Sequence, residues 1–206
     1  MLLYLHGFNS APSSTKAQQV AQYLAGHYPA EVVSIPQLAT APAAAMAQIW
    51  PMAEQALARG EPLRLMGSSL GGYMASYLVE QLSEAYPDGD IRAVLINPAV
   101  RPYELLTELL GDQINPYTGE AYRVEPEHMD ELMALDTPLI RRPEAYRVLL
   151  QSGDEVLDYR QAVAKYQCCE MYLEPGGDHS FVGFDQQIPA AMVFLGLEPV
   201  AQPCTS

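Results

Sequence analysis

Pro62-Leu63-Arg64-Leu65-Met66-Gly67-Ser68-Ser69-Leu70-Gly71-Gly72-Tyr73-Met74-Ala75-Ser76-Tyr77-Leu78 is the stretch on which the fold turns. An apolar run that ends in a Gly-Ser turn and resumes with helical character reads as a strand handing over to a helix through a sharp bend. Within it, Gly67-x-Ser69-x-Gly71 sets a serine at the tip, and glycines two residues to either side let the neighbouring chain pass close. Ser69 should then project its hydroxyl above the sheet, where the N–H groups that open the next helix also point. Read alone, the pattern also fits an ordinary turn in which Ser68 or Ser69 caps a helix.

What separates those readings is the remainder of the chain. The run Tyr146-Arg147-Val148-Leu149-Leu150 ends in Gln151-Ser152-Gly153-Asp154-Glu155, and Glu170-Met171-Tyr172-Leu173 ends in Gly176-Gly177-Asp178-His179-Ser180-Phe181. Each places polar side chains just past a strand, at the edge of a parallel sheet where ligands bind. Near the amino end, Leu2-Leu3-Tyr4-Leu5 runs into His6-Gly7-Phe8-Asn9-Ser10, where an oxyanion-binding N–H is expected. A serine followed by an acid and then a histidine is the chain order of the α/β-hydrolases. Asp154, Glu155 and Asp158 share one loop. Asp154 is the first carboxylate past the strand and is taken as the acid, whereas Asp158 suits the N-cap of the next helix.

From residue 1 to about Leu197 the chain resembles the YqiA-type esterase family of bacterial α/β-hydrolases. The resemblance lies in Leu3-Tyr4-Leu5-His6-Gly7-Phe8-Asn9-Ser10, Gly67-Ser68-Ser69-Leu70-Gly71-Gly72-Tyr73, Asn97-Pro98-Ala99-Val100-Arg101-Pro102, Asn115-Pro116-Tyr117-Thr118-Gly119, Gly153-Asp154-Glu155-Val156-Leu157-Asp158-Tyr159-Arg160 and His179-Ser180-Phe181. It implies a small serine esterase or thioesterase in which Ser69 is the nucleophile, Asp154 the acid and His179 the base. Asp178 stands where the family commonly has asparagine, which sets an extra carboxylate beside the base.

Composition narrows the partners. A net charge of −14 is unsuited to nucleic acid and to anionic membrane surfaces, since such a field repels polyanions. It also sits awkwardly with acyl-CoA unless a basic patch exists, for which Arg101, Arg141 and Arg142 are the candidates. The odd cysteine count, with Cys168 and Cys169 adjacent and Cys204 near the end, does not make a disulfide framework and points to a reducing, cytoplasmic setting. No basic stretch precedes Leu2 and no run of about 18 apolar residues occurs, so neither a signal peptide nor a membrane span is expected. His6, His27, His128 and His179 are scattered and no H-E-x-x-H occurs, so the expected chemistry needs no metal or organic cofactor.

Apolar runs place strands near Leu2 to Leu5, Glu31 to Ile35, Leu63 to Met66, Arg92 to Ile96, Tyr146 to Gln151 and Glu170 to Leu173. Helical patterns fall near Ser14 to His27, Ala43 to Arg59, Gly72 to Tyr86, Tyr159 to Lys165 and Gln186 to Leu195. This alternation predicts one α/β domain over residues 1–197, a reduced α/β-hydrolase fold: a mostly parallel sheet of about six strands, helices on both faces, and a small helical cap. The cap is assigned to about 100–142, with short helices at Tyr103 to Leu110 and Glu127 to Leu135 and no strand. Leu105, Leu106, Leu109, Met129 and Met133 are its candidate acyl contacts, although helical spacing fits plain packing equally well. The tail 198–206 is expected to be disordered.

The expected reaction is cleavage of a small carboxylic ester or thioester through an acyl-Ser69 intermediate, with the N–H groups of Phe8 and Leu70 as oxyanion hole. The same residues are compatible with cleavage of peptide or carbon–carbon bonds, or with a binding protein that keeps the fold.

Overall fold

Strand β1 is apolar at every position because it is covered on both faces: Leu3 and Leu5 join one core layer, Leu2 and Tyr4 the other. The structure is a computed structural model and describes residues 1–197; the tail whose disorder was expected lies outside the described residues. In chain order the elements are β1 (Leu2–Leu5), α1 (Thr15–His27), β2 (Val33–Ser34), α2 (Pro42–Ala58), β3 (Leu63–Ser68), α3 (Leu70–Ala85) and β4 (Ile91–Ile96). There follow α4 (Pro102–Leu106), β5 (Gly111–Ile114), β6 (Ala121–Val124), α5 (Glu127–Ala134), β7 (Tyr146–Gln151), α6 (Tyr159–Lys165), β8 (Glu170–Glu174) and α7 (Ile188–Phe194).

Six strands form one wholly parallel sheet in the order β2-β1-β3-β4-β7-β8. Each strand's alternation assigns its side chains to a layer. Leu63, Leu65, Ala93, Leu95, Val148 and Leu150 pack with α2, α3 and α6, while Met66, Val94, Ile96 and Leu149 pack with α1 and α7. Burial of these apolar faces, worth roughly 25 cal/mol per Å², is the main favourable term. The chain turns one way from β1 to β2 and the other way from β3 to β4, so the reversal falls between β1 and β3. Crevices of open α/β sheets form at such a switch point, beyond the carboxyl ends of the strands. The β1 loop, the β3–α3 turn and the loops after β7 and β8 all leave from that edge.

The cap differs from its expected form. Between α4 and α5, which an additional 3-10 turn at Thr107–Leu109 partly bridges, lies an antiparallel hairpin of β5 and β6 where no strand was expected. Asn115 makes the turn: its Oδ1 accepts the N–H groups of Tyr117 (2.8 Å) and Thr118 (3.2 Å), and Gly119 adopts φ 72°. The strands are four residues long and largely exposed, so their polar composition carries no apolar strand signal. Among the described residues no helix is long and apolar enough to cross a membrane.

Candidate active site

At the β3–α3 junction Ser69 adopts φ 55° and ψ −119°, a left-handed conformation that costs about 1–3 kcal/mol for a non-glycine residue. The flanking glycines make it possible. A Cβ on Gly71 would come within 2.0 Å of the Leu5 carbonyl oxygen, and one on Gly67 within 2.4 Å of the Gly71 oxygen. Ser69 also ties the end of β3 to β4 and to the segment that follows β4: its N–H donates to the Ile96 carbonyl (3.0 Å), and its own carbonyl accepts from Ala99 (3.1 Å).

The loops beyond β7 and β8 bring Asp154 and His179 to this turn. His179 Nδ1–H donates to Asp154 Oδ2 at 2.8 Å, which leaves Nε2 as an acceptor 3.1 Å from Ser69 Oγ. The Asp154 side chain is almost fully buried, and its Oδ1 accepts the N–H groups of Val156 (2.9 Å) and Leu157 (2.8 Å). Its carboxylate is thereby fixed before it meets the histidine. Asp158 is the N-cap of α6, accepting from Arg160 N (3.0 Å) and Nε (2.8 Å), and takes no part in the cluster.

Several positioning residues were not identified from the sequence. Asn97, buried at the end of β4, donates from Nδ2 to the carbonyls of Asp178 (3.1 Å) and His179 (3.3 Å), and its Oδ1 accepts Gln151 N–H (3.0 Å). Gln151 closes the same loop: Oε1 accepts from Asp178 (3.2 Å) and Val182 (2.8 Å), and Nε2 donates to the Val182 carbonyl (2.8 Å). Glu155 accepts the His179 backbone N–H. The available signal was a polar residue ending each of two apolar strands, which is costly unless satisfied.

Neither the Phe8 nor the Leu70 N–H donates to a protein acceptor among the described residues. The hairpin holds the Phe8 loop. Asn115 Nδ2 donates to the Ser10 carbonyl (3.0 Å), Tyr122 donates its hydroxyl to Asn9 Oδ1, and the Phe8 and Tyr122 rings meet edge to face. His6 pins it from beneath, donating from Nδ1 to the Gly7 carbonyl (2.9 Å) and accepting Leu38 N–H at Nε2 (3.1 Å). Burial lowers its pKa, consistent with a neutral structural imidazole.

A cavity of about 400 Å³ opens beside Ser69 and His179, and a second of about 30 Å³ lies against Phe8, Leu70 and Met74. None of the candidate acyl contacts of the cap lines either one. Leu106 is buried in the core and Met129 packs against it, whereas Leu105, Leu109 and Met133 are exposed. The three candidate arginines are each paired with a carboxylate, Arg101 with Glu104, Arg141 with Glu84 and Arg142 with Glu144, away from both cavities. Among the described residues no three His, Cys, Asp or Glu side chains gather in a metal-binding group.

Fold and motifs together correspond to the α/β-hydrolase class. Solved structures of that fold superpose over nearly the whole chain. A candidate hydrolase from Agrobacterium vitis S4 has a TM-score of 0.71 at 20% identity, covering 96% of this chain and 87% of the other. The α/β hydrolase domain-containing protein 10 from mouse has 0.66 at 17%, covering 93% and 87%. Est1E from Butyrivibrio proteoclasticus has 0.65 at 15%, covering 94% and 86%. The chain itself belongs to the Uncharacterised protein family UPF0227, whose model matches residues 1–196; this is the YqiA family that the sequence blocks resemble.

Proposed function

We propose that the protein is a serine hydrolase of small carboxylic esters or thioesters, working through an acyl-Ser69 intermediate. The observation that carries this reading is the unbroken relay Asp154–His179–Ser69 at the switch point, facing two unspent backbone N–H groups. His179 Nε2 takes the Ser69 proton as Oγ bonds to the acyl carbon, and the oxyanion that forms is held by Phe8 and Leu70 N–H. The bond to the leaving oxygen or sulfur then breaks as Nε2 returns the proton to it. Water, deprotonated by the same nitrogen, attacks the acyl carbon, and Ser69 regains its proton as the acid departs. Asp154 keeps the proton on Nδ1 and stabilises the imidazolium, and each oxyanion donor is worth about 10²- to 10³-fold in turnover.

Names among the structural neighbours lend support at the level of chemistry: ferulic acid is bound to Est1E, and a monoacylglycerol lipase of Paleococcus ferrophilus shares the fold at a TM-score of 0.62 and 14% identity. The test is a panel of short aryl esters, acyl thioesters and aminoacyl amides, run with the wild type and Ser69→Ala. Ester or thioester turnover that falls by about 10⁶-fold in the folded variant is the expected result. Turnover that survives Ser69→Ala, or that appears on amides alone, contradicts the reading.

A further inference from the structure

The larger cavity beside Ser69 has a chemistry that acyl transfer does not itself require. It is bounded by the loop after β1, the start of α1, the β8–α7 loop and Tyr117 of the hairpin turn, and in a chain with 25 aspartates and glutamates none of the described ones lines it. Lys16 is the one lysine or arginine among its described lining residues. Its Nζ donates to the Ser180 carbonyl at 2.9 Å, which leaves further ammonium hydrogens free. Burial pulls the Lys16 pKa down, while Asp178 and Asp154, neither of which lines the cavity, act in the opposite direction.

Other donors converge there without protein acceptors. Ser14, 8% exposed, is the N-cap of α1 yet makes no side-chain capping bond. Tyr4, 1% exposed, reaches the same cavity with its hydroxyl unpaired among the described residues, and burial favours its protonated form. The N–H groups of Thr15, Lys16 and Ala17, which open this 13-residue helix, also have no protein acceptor. Two unpartnered hydroxyls on buried residues that open onto the cavity, a half-buried ammonium and the positive end of a helix dipole suit an oxyacid anion.

We propose that this cavity is an anion subsite for the leaving group, so that the alcohol or thiol released by the enzyme carries a carboxylate or phosphate. The placement rests on the serine hydrolase reading: His179 Nε2 protonates the departing atom, so the departing half lies next to the histidine, which lines this cavity together with Ser180 and Phe181. The neighbouring space against Leu70 and Met74, about 30 Å³, suits a short acyl group.

The experiment compares phenyl acetate with 3-acetoxybenzoate and 3-acetoxyphenyl phosphate, reading the ratio of kcat/KM for each anionic ester to that for the neutral one. The wild type should favour at least one anion by about tenfold, and Lys16→Gln should lower that ratio by about tenfold while Lys16→Arg retains most of it. Which anion gains distinguishes carboxylate from phosphate. A purely structural defect lowers all three esters alike and leaves the ratio unmoved. A wild-type ratio at or below unity for both anions, or one that Lys16→Gln does not change, overturns the subsite and leaves the hydrolase reading intact. Calorimetry of Ser69→Ala with 3-hydroxybenzoate and 3-hydroxyphenyl phosphate supplies a readout without turnover. Binding that Lys16→Gln weakens supports the subsite even if no ester is cleaved, whereas absence of binding to the folded protein overturns it.

Discussion

Glu155 Oε2 accepts the backbone N–H of His179 at 3.0 Å, while the adjacent Asp154 takes the imidazole Nδ1–H of the same residue. Two consecutive carboxylates thus hold one histidine, one by its main chain and one by its ring. Their substitutions should separate accordingly. Asp154→Asn should lower turnover by about 10⁴-fold, because the ring loses the partner that fixes its tautomer. Glu155→Gln keeps an acceptor oxygen and should stay near wild-type activity. Asp158→Ala should lower the melting temperature slightly through the lost α6 cap and leave most activity, measured by thermal melting alongside ester kinetics.

The β5–β6 hairpin should govern turnover more than substrate affinity, since it grips the Phe8 loop that carries an expected oxyanion donor, while Asn115 and Tyr122 themselves only edge the smaller cavity. Tyr122→Phe removes the hydroxyl that Asn9 accepts, and Asn115→Ala removes both the turn and the bond to Ser10. Each should lower kcat by about tenfold with a smaller change in KM, the pattern of a displaced transition-state donor. Steady-state kinetics on one short ester checks it.

Acid stability should depend on Asp90. The hydrogen bond from nearly buried Arg64, with Arg92 adding its charge, holds the Asp90 pKa below its ordinary value. As pH falls, the unfolded chain takes up the proton first. The contribution is therefore present above about pH 4 and is lost as pH drops through the depressed folded value. Because Asp90 is half exposed, Asp90→Asn should cost only about 1–2 kcal/mol at pH 7, and the gap to wild type should narrow below pH 4. Urea melts across that range measure both.

Cysteine reactivity should split within one dipeptide. Burial, followed by the charges of Cys168, Glu80 and Glu144, pushes the Cys169 thiol up to about 11, whereas Cys168 is exposed. At pH 8 Cys169 is therefore held almost wholly as the unreactive thiol. Iodoacetamide should modify Cys168 first, with Cys169 reacting only as pH rises or the protein unfolds, as peptide fragmentation would read directly.

Strands buried on both faces were legible because β1, β3, β4 and β7 are largely apolar runs closed by turn residues, interrupted only by Arg64, Arg92 and Arg147 near their starts. The grouping of Ser69, Asp154 and His179 was legible as well, since Ser69 directly follows β3, Asp154 lies in the loop after β7, and His179 lies in the Gly-rich loop after the exposed edge strand β8. The hairpin was hidden because its strands are short and exposed, and its register comes from Asn115 and from contacts with a loop about a hundred residues earlier. Asn97 and Gln151 looked like strand ends; only the fold shows that their amides hold the histidine loop. The larger cavity escaped notice for the same reason, as Tyr4, Ser14 and Lys16 share no local pattern.

Activation of Ser69 as a nucleophile is read by reaction of the folded protein with a fluorophosphonate, followed by intact mass and peptide mapping. One adduct per chain is expected, on Ser69, with labelling abolished in Ser69→Ala and strongly slowed in Asp154→Asn. An adduct on Ser68, or folded protein that takes up no label while a control hydrolase does, would contradict it.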